Sequence, residues 1–286
     1  MPSLKLETFA ALNNKEIMTG TLANNIKYIN SHKDETKLHV LTVWAVVDLE
    51  TEQGREIIRG ALSQLKSSNQ LRVGIIHNTD KPDMATKITK AAVDSQSSNL
   101  GIRNLLSKLL KEETLKNLKK GKKKLEDYDI PGADMEKFKE AFNKVKENDE
   151  LFDIHKIFAE KTLNFALGQN GILLNGRIIG PLEPTEVFST DDFNLLDKFS
   201  MAGFGEKLVN TLYTNFEVKN EPKISDLAMK LSSLLVSRPE SKTRTDIQFY
   251  GDKKSVIKID PEDPERPSFD LVAIIDPLSQ VNLFVI

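Results

Sequence analysis

Apolar residues fall along this chain in two rhythms. Leu38 to Leu49, LHVLTVWAVVDL, and Leu71 to His77, LRVGIIH, are nearly continuous apolar runs rich in valine and isoleucine. Such runs, without alternation, predict strands buried on both faces. Between them the period lengthens. Ile57, Ile58, Ala61, Leu62 and Leu65 recur at helical spacing, and Thr51 stands where a cap belongs. This is a strand–helix–strand unit, expected to cross over right-handed. Two shorter runs, Ile172-Leu173-Leu174 and Ile178-Ile179, flank Asn175-Gly176. Asn-Gly tolerates the positive φ of a tight hairpin turn. Gly180-Pro181 ends the second strand, because proline cannot donate to a ladder. A helix start follows, with Ser189 as cap, Asp192 three residues on, and Phe188 placed to staple against Phe193.

The remainder is mostly helical in period. Leu22, Ile26 and Ile29 predict a short leading helix. Between His77 and the hairpin lie three apolar stripes. Ile102, Leu105, Leu106, Leu109 and Leu110 form the first. Met135, Phe138, Ala141, Phe142 and Val145 form the second, and Phe152, Ile157, Phe158, Leu163 and Phe165 the third. Ile130-Pro131-Gly132 separates the first two. Beyond the hairpin, Phe204, Leu208, Leu212 and Phe216 carry one more face. Ile224, Leu227, Ala228, Leu231, Leu234 and Leu235 make an amphipathic helix between polar linkers. Ile247–Tyr250 and Val256–Ile259 read as a hairpin around Gly251-Asp252, and Leu271–Ile275 and Val281–Ile286 as two more strands.

Strand–helix–strand, then hairpin and helix, is the α/β order of a thioredoxin-like fold. The expectation is a DsbA-like central sheet of Val40–Val47, Leu71–His77, Gly171–Asn175 and Arg177–Gly180. The helices of roughly 80–167 form an insertion packed over one end of it. The implied domains are a leading segment, 1–37, and a thioredoxin-like domain, 38–218. An amphipathic helix and linker, 219–245, then lead to a β segment, 246–286, belonging to the next module.

Composition narrows the chemistry. Forty basic and 42 acidic residues leave a net charge of −2 on 286 residues, so no basic field favours nucleic acid or an anionic membrane. No apolar run approaches the roughly 18–20 residues of a membrane span, and MPSLKLETFAALNN lacks a secretory-signal profile. There is no cysteine. Disulfides, thiolate metal sites and thiol redox chemistry are excluded. An active thioredoxin fold carries a cysteine pair just after its first central strand. Here that stretch is Asp48-Leu49-Glu50-Thr51-Glu52-Gln53, and Gln169-Asn170-Gly171 stands where a proline normally precedes the hairpin. Asp127-Tyr128-Asp129 matches the metal-holding DxD of some sugar-nucleotide transferases. It lies beside a lysine run in the helical insertion, which is the place of a solvated helix end. Lys119 to Lys124 reads as a solvated face near a helix C-terminus, with a basic docking patch as the alternative. His32, His39, His77 and His155 have no ligand spacing.

Several phrases together resemble one family. VWAVVDLETEQGREIIRGAL with LRVGIIHN, then NGRIIGPLEPTEVFSTDDFNLLDKF, then SVIKIDPE and FDLVAIIDPLSQ are similar, in that order, to the folding-sensor region of UDP-glucose:glycoprotein glucosyltransferases. The resemblance runs from about Leu38 to the C-terminus and points to the third thioredoxin-like domain. It implies a home in the endoplasmic reticulum lumen and a large parent enzyme. That enzyme transfers glucose from UDP-glucose to high-mannose glycans of misfolded glycoproteins, so that lectin chaperones rebind them. It further implies a calcium-dependent catalytic domain, holding UDP-glucose and the DxD site, of which no part is present here. In the family a helix separates the DPL-S/T motif from the next strand, whereas here Gln280 runs directly into Val281.

The resemblance implies a non-catalytic, redox-inactive module. Its partners would be misfolded glycoproteins and the other domains of its parent chain, with no nucleic acid and no membrane. No cofactor and no metal are expected in this chain. The residues offered for client contact are Leu105, Leu106, Leu109 and Leu110, with Phe138, Phe142, Phe152 and Phe158, as apolar surface beyond what a small bundle needs. Ile224, Leu227, Leu231, Leu234 and Leu235 would form a displaceable cover over that patch, the alternative being a permanent core helix. Two rivals stand beside the sensor: a structural spacer that binds no client, and a stand-alone enzyme using Asp48, Glu50 and Glu52.

Overall fold

The computed structural model describes residues 4–30, 38–145, 149–216 and 223–236. β1 (Ile29–Asn30), β2 (Leu41–Val47), β3 (Leu71–His77), β4 (Gly171–Leu174) and β5 (Arg177–Ile179) form one sheet, in the spatial order β1–β3–β2–β4–β5. β2 and β3 are parallel, with Val43 opposite Val73. The other three pairings are antiparallel. All seven residues of β2 and of β3 are buried. Their continuous apolar runs are explained by cover on both faces.

Period-2 alternation sorts the strand side chains into two cores. Val43, Ala45, Val47, Val73, Ile75, Ile172 and Leu174 point into the larger one. It is closed by α3 (Glu52–Ser67), α4 (Met84–Ser95), α5 (Asn99–Leu109), α6 (Glu112–Lys119) and α7 (Met135–Lys144), and by helices beyond the hairpin. Trp44, Val46, Ile76 and Leu173 point the other way. They meet α1 (Leu6–Ala10), α2 (Lys15–Ala23) and α8 (Glu150–Leu163), with Trp44 edge-on to Phe158 at 5.6 Å. The insertion therefore covers both faces of the sheet and not one end, because its last helix crosses to the second core.

Local signals set the element ends as read. Thr51 accepts from the Gly54 N–H at the start of α3. Ser189 and Asp192 form a reciprocal capping box on α9 (Thr190–Ser200), with Phe188 against Phe193 at 4.8 Å. A π-helical segment, Met201–Gly205, joins α9 to α10 (Glu206–Asn215). α11 (Ile224–Val236) follows.

Two expectations are corrected. Ile29 is a strand residue, not the third turn of a helix: α2 ends at Ala23, and Ile29 pairs with Val73. The leading segment is also not separate from the domain at 38. Phe9, Met18 and Leu22 are core residues. The described residues all fall within one compact unit, bounded at Pro239. The polar linker after α11, the C-terminal hairpin and strands, and the junction at Gln280-Val281 lie outside the described residues, as does His32.

Candidate functional site

β2 and β3 end side by side, and β4 begins beside the end of β2, with Gly171 opposite Val46. A redox-active site would open here, at the start of α3. In this chain the position is filled. The Asp48 N–H donates to Asn170 Oδ1 at 2.7 Å. Asn170 Nδ2 donates to Gln53 Oε1 at 2.8 Å, and Gln53 Nε2 donates to the Glu183 and Glu186 carbonyls at 2.7 and 2.8 Å. The Thr51 hydroxyl donates back to the Asp48 carbonyl at 2.7 Å. Only glycine fits at 54, since a Cβ there would lie 2.1 Å from the Asp48 carbonyl oxygen. Asn170 thus ties the strand end, the helix start and the loop before α9 into one hydrogen-bonded knot.

The acids here are committed. Burial pushes the Asp48 carboxyl up, opposed by bonds from the Glu50 N–H and the Thr79 side chain. Glu50 Oε1 accepts from the Asp83 and Thr86 amides and the Thr86 hydroxyl, and its Oε2 lies 3.3 Å from Lys119. Against partial desolvation, which would raise it, the Arg55 and Arg59 guanidiniums draw the Glu52 carboxyl down to about 2. A base that weak takes no proton at neutral pH. This geometry offers nothing to the stand-alone enzyme reading. Asp127 of the DxD sequence accepts from the Lys124 N–H on an exposed turn.

Beside the end of β3 sits a buried histidine pair. The His77 N–H donates to His155 Nδ1 at 3.1 Å, and the rings stack at 5.6 Å. Burial, with nearby Lys90, depresses the His155 imidazole to about 3, and burial holds His77 well below its ordinary value. Both are neutral packing groups.

The residues proposed for client contact are not on the surface. Leu105, Leu106, Leu109, Leu110, Phe138, Phe152 and Phe158 are all fully buried, and Phe142 is half-buried against the same core. The stripes are consumed by the sheet and by one another. α11 does not cover them either. It packs on β2 and α10. Its Ser225 hydroxyl accepts from the His39 N–H at 2.9 Å, and Asp226 pairs with Arg72 at 2.7 Å. Ile224 is buried, Leu227 and Leu231 are half-buried, Leu234 is exposed, and the Leu235 side chain lies outside the described residues.

Large exposed apolar side chains lie elsewhere, some of them on α9 and α11. Leu195 and Phe199, four residues apart on α9, are 68% and 60% exposed. The Arg177 guanidinium lies 5.6 Å from the Phe199 ring. At the tip of the β4–β5 hairpin Gly176 abuts Ser233 of α11, and Leu234, next in sequence, is 65% exposed. A signal for this was present in the sequence. Phe193 and Leu196 are three apart and face inward, so Leu195 and Phe199 in the same motif form a second stripe, which one buried face cannot hold.

A family model described as a thioredoxin-like domain matches residues 8–236. UDP-glucose:glycoprotein glucosyltransferase 1 of Rattus norvegicus is 32% identical over 285 residues, covering 95% of this chain and 18% of its own length. UDP-glucose:glycoprotein glucosyltransferase 2 of Homo sapiens is 31% identical over 277 residues, covering 96% and 18%. The chain is homologous to a stretch of these enzymes and spans under a fifth of their length. Among solved structures, the Trx3 domain of UGGT in a detergent-unbound form aligns at 21% identity and a TM-score of 0.40, over 64% of this chain and 99% of that one. No helix among the described residues is long and apolar enough to cross a membrane.

Proposed function

Because the chain belongs to the thioredoxin-like domain family, we propose that it serves as a redox-inactive module of a glucosyltransferase-type folding sensor and recognises misfolded glycoproteins through exposed apolar surface. The observation that carries this reading is the filled strand end. A knot of backbone and amide hydrogen bonds occupies the place of the redox pair, so the fold is retained without its usual chemistry. Homology to UDP-glucose:glycoprotein glucosyltransferases supports the rest of the reading: other domains of a parent chain, a place in the endoplasmic reticulum lumen, and glycoprotein clients. UDP-glucose and calcium we assign to the parent's catalytic region, outside this chain. The client surface we move from the insertion stripes to Leu195, Phe199 and Leu234, where apolar atoms meet solvent.

The test is binding of this chain to one glycoprotein in denatured and native forms. Preferential binding of the denatured form, weakened by Leu195→Ser with Phe199→Ser, is expected. Equal, weak binding of both forms would leave a spacer and overturn the sensor reading.

A further inference from the structure

α6 ends in a turn whose conformation is fixed by its own backbone. The Lys120 N–H donates to the Lys116 carbonyl at 3.1 Å, and the Gly121 N–H to Leu118 at 3.0 Å. Gly121 takes φ +64°, and the Lys122 and Lys123 amides then both reach the Asn117 carbonyl, at 2.9 and 3.4 Å. The Lys124 N–H is held by Asp127 Oδ2 at 2.7 Å. Five of the six residues from 119 to 124 are lysine. Lys119 is used internally, with Asp83 at 2.8 Å and Glu50 at 3.3 Å. Lys120, Lys122, Lys123 and Lys124 are exposed, and none forms an ion pair with a carboxylate among the described residues.

A helix C-terminus favours cations only within its last turn. Lys122 to Lys124 lie beyond it, and like charges this close repel one another. Lys123 Nζ lies 5.5 Å from the Tyr128 ring centre. Lys120, Lys122 and Lys124 extend from the same hydrogen-bonded turn, and a backbone held in this way lowers the cost of ordering them against a partner.

The surroundings select the partner. The residues of the turn, 120–124, are all exposed, so a small anion held there would stay in contact with water. Leu115, Leu118, Tyr128 and Ile130 nearby are all buried. No apolar face is available to enter a lipid surface, and no exposed aromatic to stack on a base. What remains is a flexible polyanion that brings its own carboxylates. We propose that the Lys120–Lys124 turn is a docking site for an acidic polypeptide segment, independent of the apolar surface assigned to clients.

The experiment measures binding of a fluorescent glutamate-rich peptide to the whole chain by anisotropy, at low and high salt. Binding that falls with salt is expected. The triple variant Lys122→Glu, Lys123→Glu, Lys124→Glu should weaken it roughly tenfold or more. A control triple of equal charge on α7, Lys137→Glu, Lys139→Glu, Lys144→Glu, should leave it unchanged. Equal weakening by both triples would reduce the effect to net charge and overturn the proposal. So would tighter binding, through the same lysines, of phosphatidylserine vesicles or of oligothymidylate. Should the charge reversals disturb folding, seen by circular dichroism, the corresponding Lys→Gln triple gives the same comparison.

Discussion

Two buried asparagines show how much a single amide can organise. Asn175 is the first residue of the hairpin tip, at φ +44°. Its Oδ1 accepts from the Thr42 N–H at 2.7 Å and its Nδ2 donates to the Val40 carbonyl at 2.8 Å. It therefore continues the sheet where β4 has ended. Asn175→Ala strands a buried donor and a buried acceptor, so denaturant melts should show a loss of about 2–4 kcal/mol. Asn170 plays the matching part at the opposite end. The histidine pair gives a pH dependence whose sign follows from its depressed values. Neutral in the fold but titrating near the ordinary value of 6.5 when unfolded, His155 contributes stability that is complete above about pH 6.5. That stability is lost progressively as the pH falls toward the folded value of about 3. Protonation at Nδ1 would also break the bond from the His77 N–H. Denaturation at pH 5 should find the chain about 2 kcal/mol weaker than at pH 7 from this group. His155→Gln should reduce the slope to the part that His77 contributes; an unchanged slope would remove the His155 imidazole as a cause.

At the scale of elements, α11 decides between a fixed helix and a cover. Its first half is anchored. Ile224 and Ala228 are buried, Ser225 holds the His39 amide, and Asp226 meets an Arg72 guanidinium that also bonds Thr42 and lies 3.9 Å from the Tyr28 ring centre. Its second half is looser, since Leu231 is half-buried and Leu234 exposed. Asp226→Asn removes a charge-assisted bond and leaves Arg72 buried without its carboxylate. Amides from Ala228 to Ser232 should then exchange roughly tenfold to a hundredfold faster, while those of Val43 to Val47 keep their protection. Hydrogen exchange at residue resolution checks this. Unaltered exchange in α11 would show that its apolar contacts hold it without the ion pair. Opening of this helix would bare parts of β2 and α10 and release the Arg72 side chain of β3.

For the whole molecule, the insertion helices are core. Leu105 and Leu109 are fully buried beneath the sheet's larger face. Leu105→Ser with Leu109→Ser leaves two cavities and two buried hydroxyls, at about 2–5 kcal/mol for each leucine lost. Against a typical domain stability of about 5–15 kcal/mol, thermal melting should show a chain largely unfolded or close to it. Leu195→Ser with Phe199→Ser should leave the same melt almost unchanged, because both side chains already face water. The opposite ranking of the two double variants would show that the α9 pair, and not the insertion leucines, belongs to the core.

What the sequence determined by itself were the features that depend on neighbours along the chain. The valine-rich runs, the Asn-Gly turn, the Thr51 cap and the Ser189–Asp192 box with its phenylalanine staple are short-range patterns, and each stands where it was read. The absence of cysteine was equally plain, and with it the loss of redox chemistry. The tertiary structure alone decided which apolar stripes are covered. A stripe states that a face is apolar; whether it is core depends on what lies opposite, and that comes from residues far away in sequence. Phe158 is buried because Trp44 meets it, and Leu105 because a sheet and four more helices close over it. Leu195 and Phe199 remain outside because α9 has only one partner face, already taken by Phe193 and Leu196. Ile29 became a strand because the edge of β3 offered it a ladder, and no local periodicity encodes that offer.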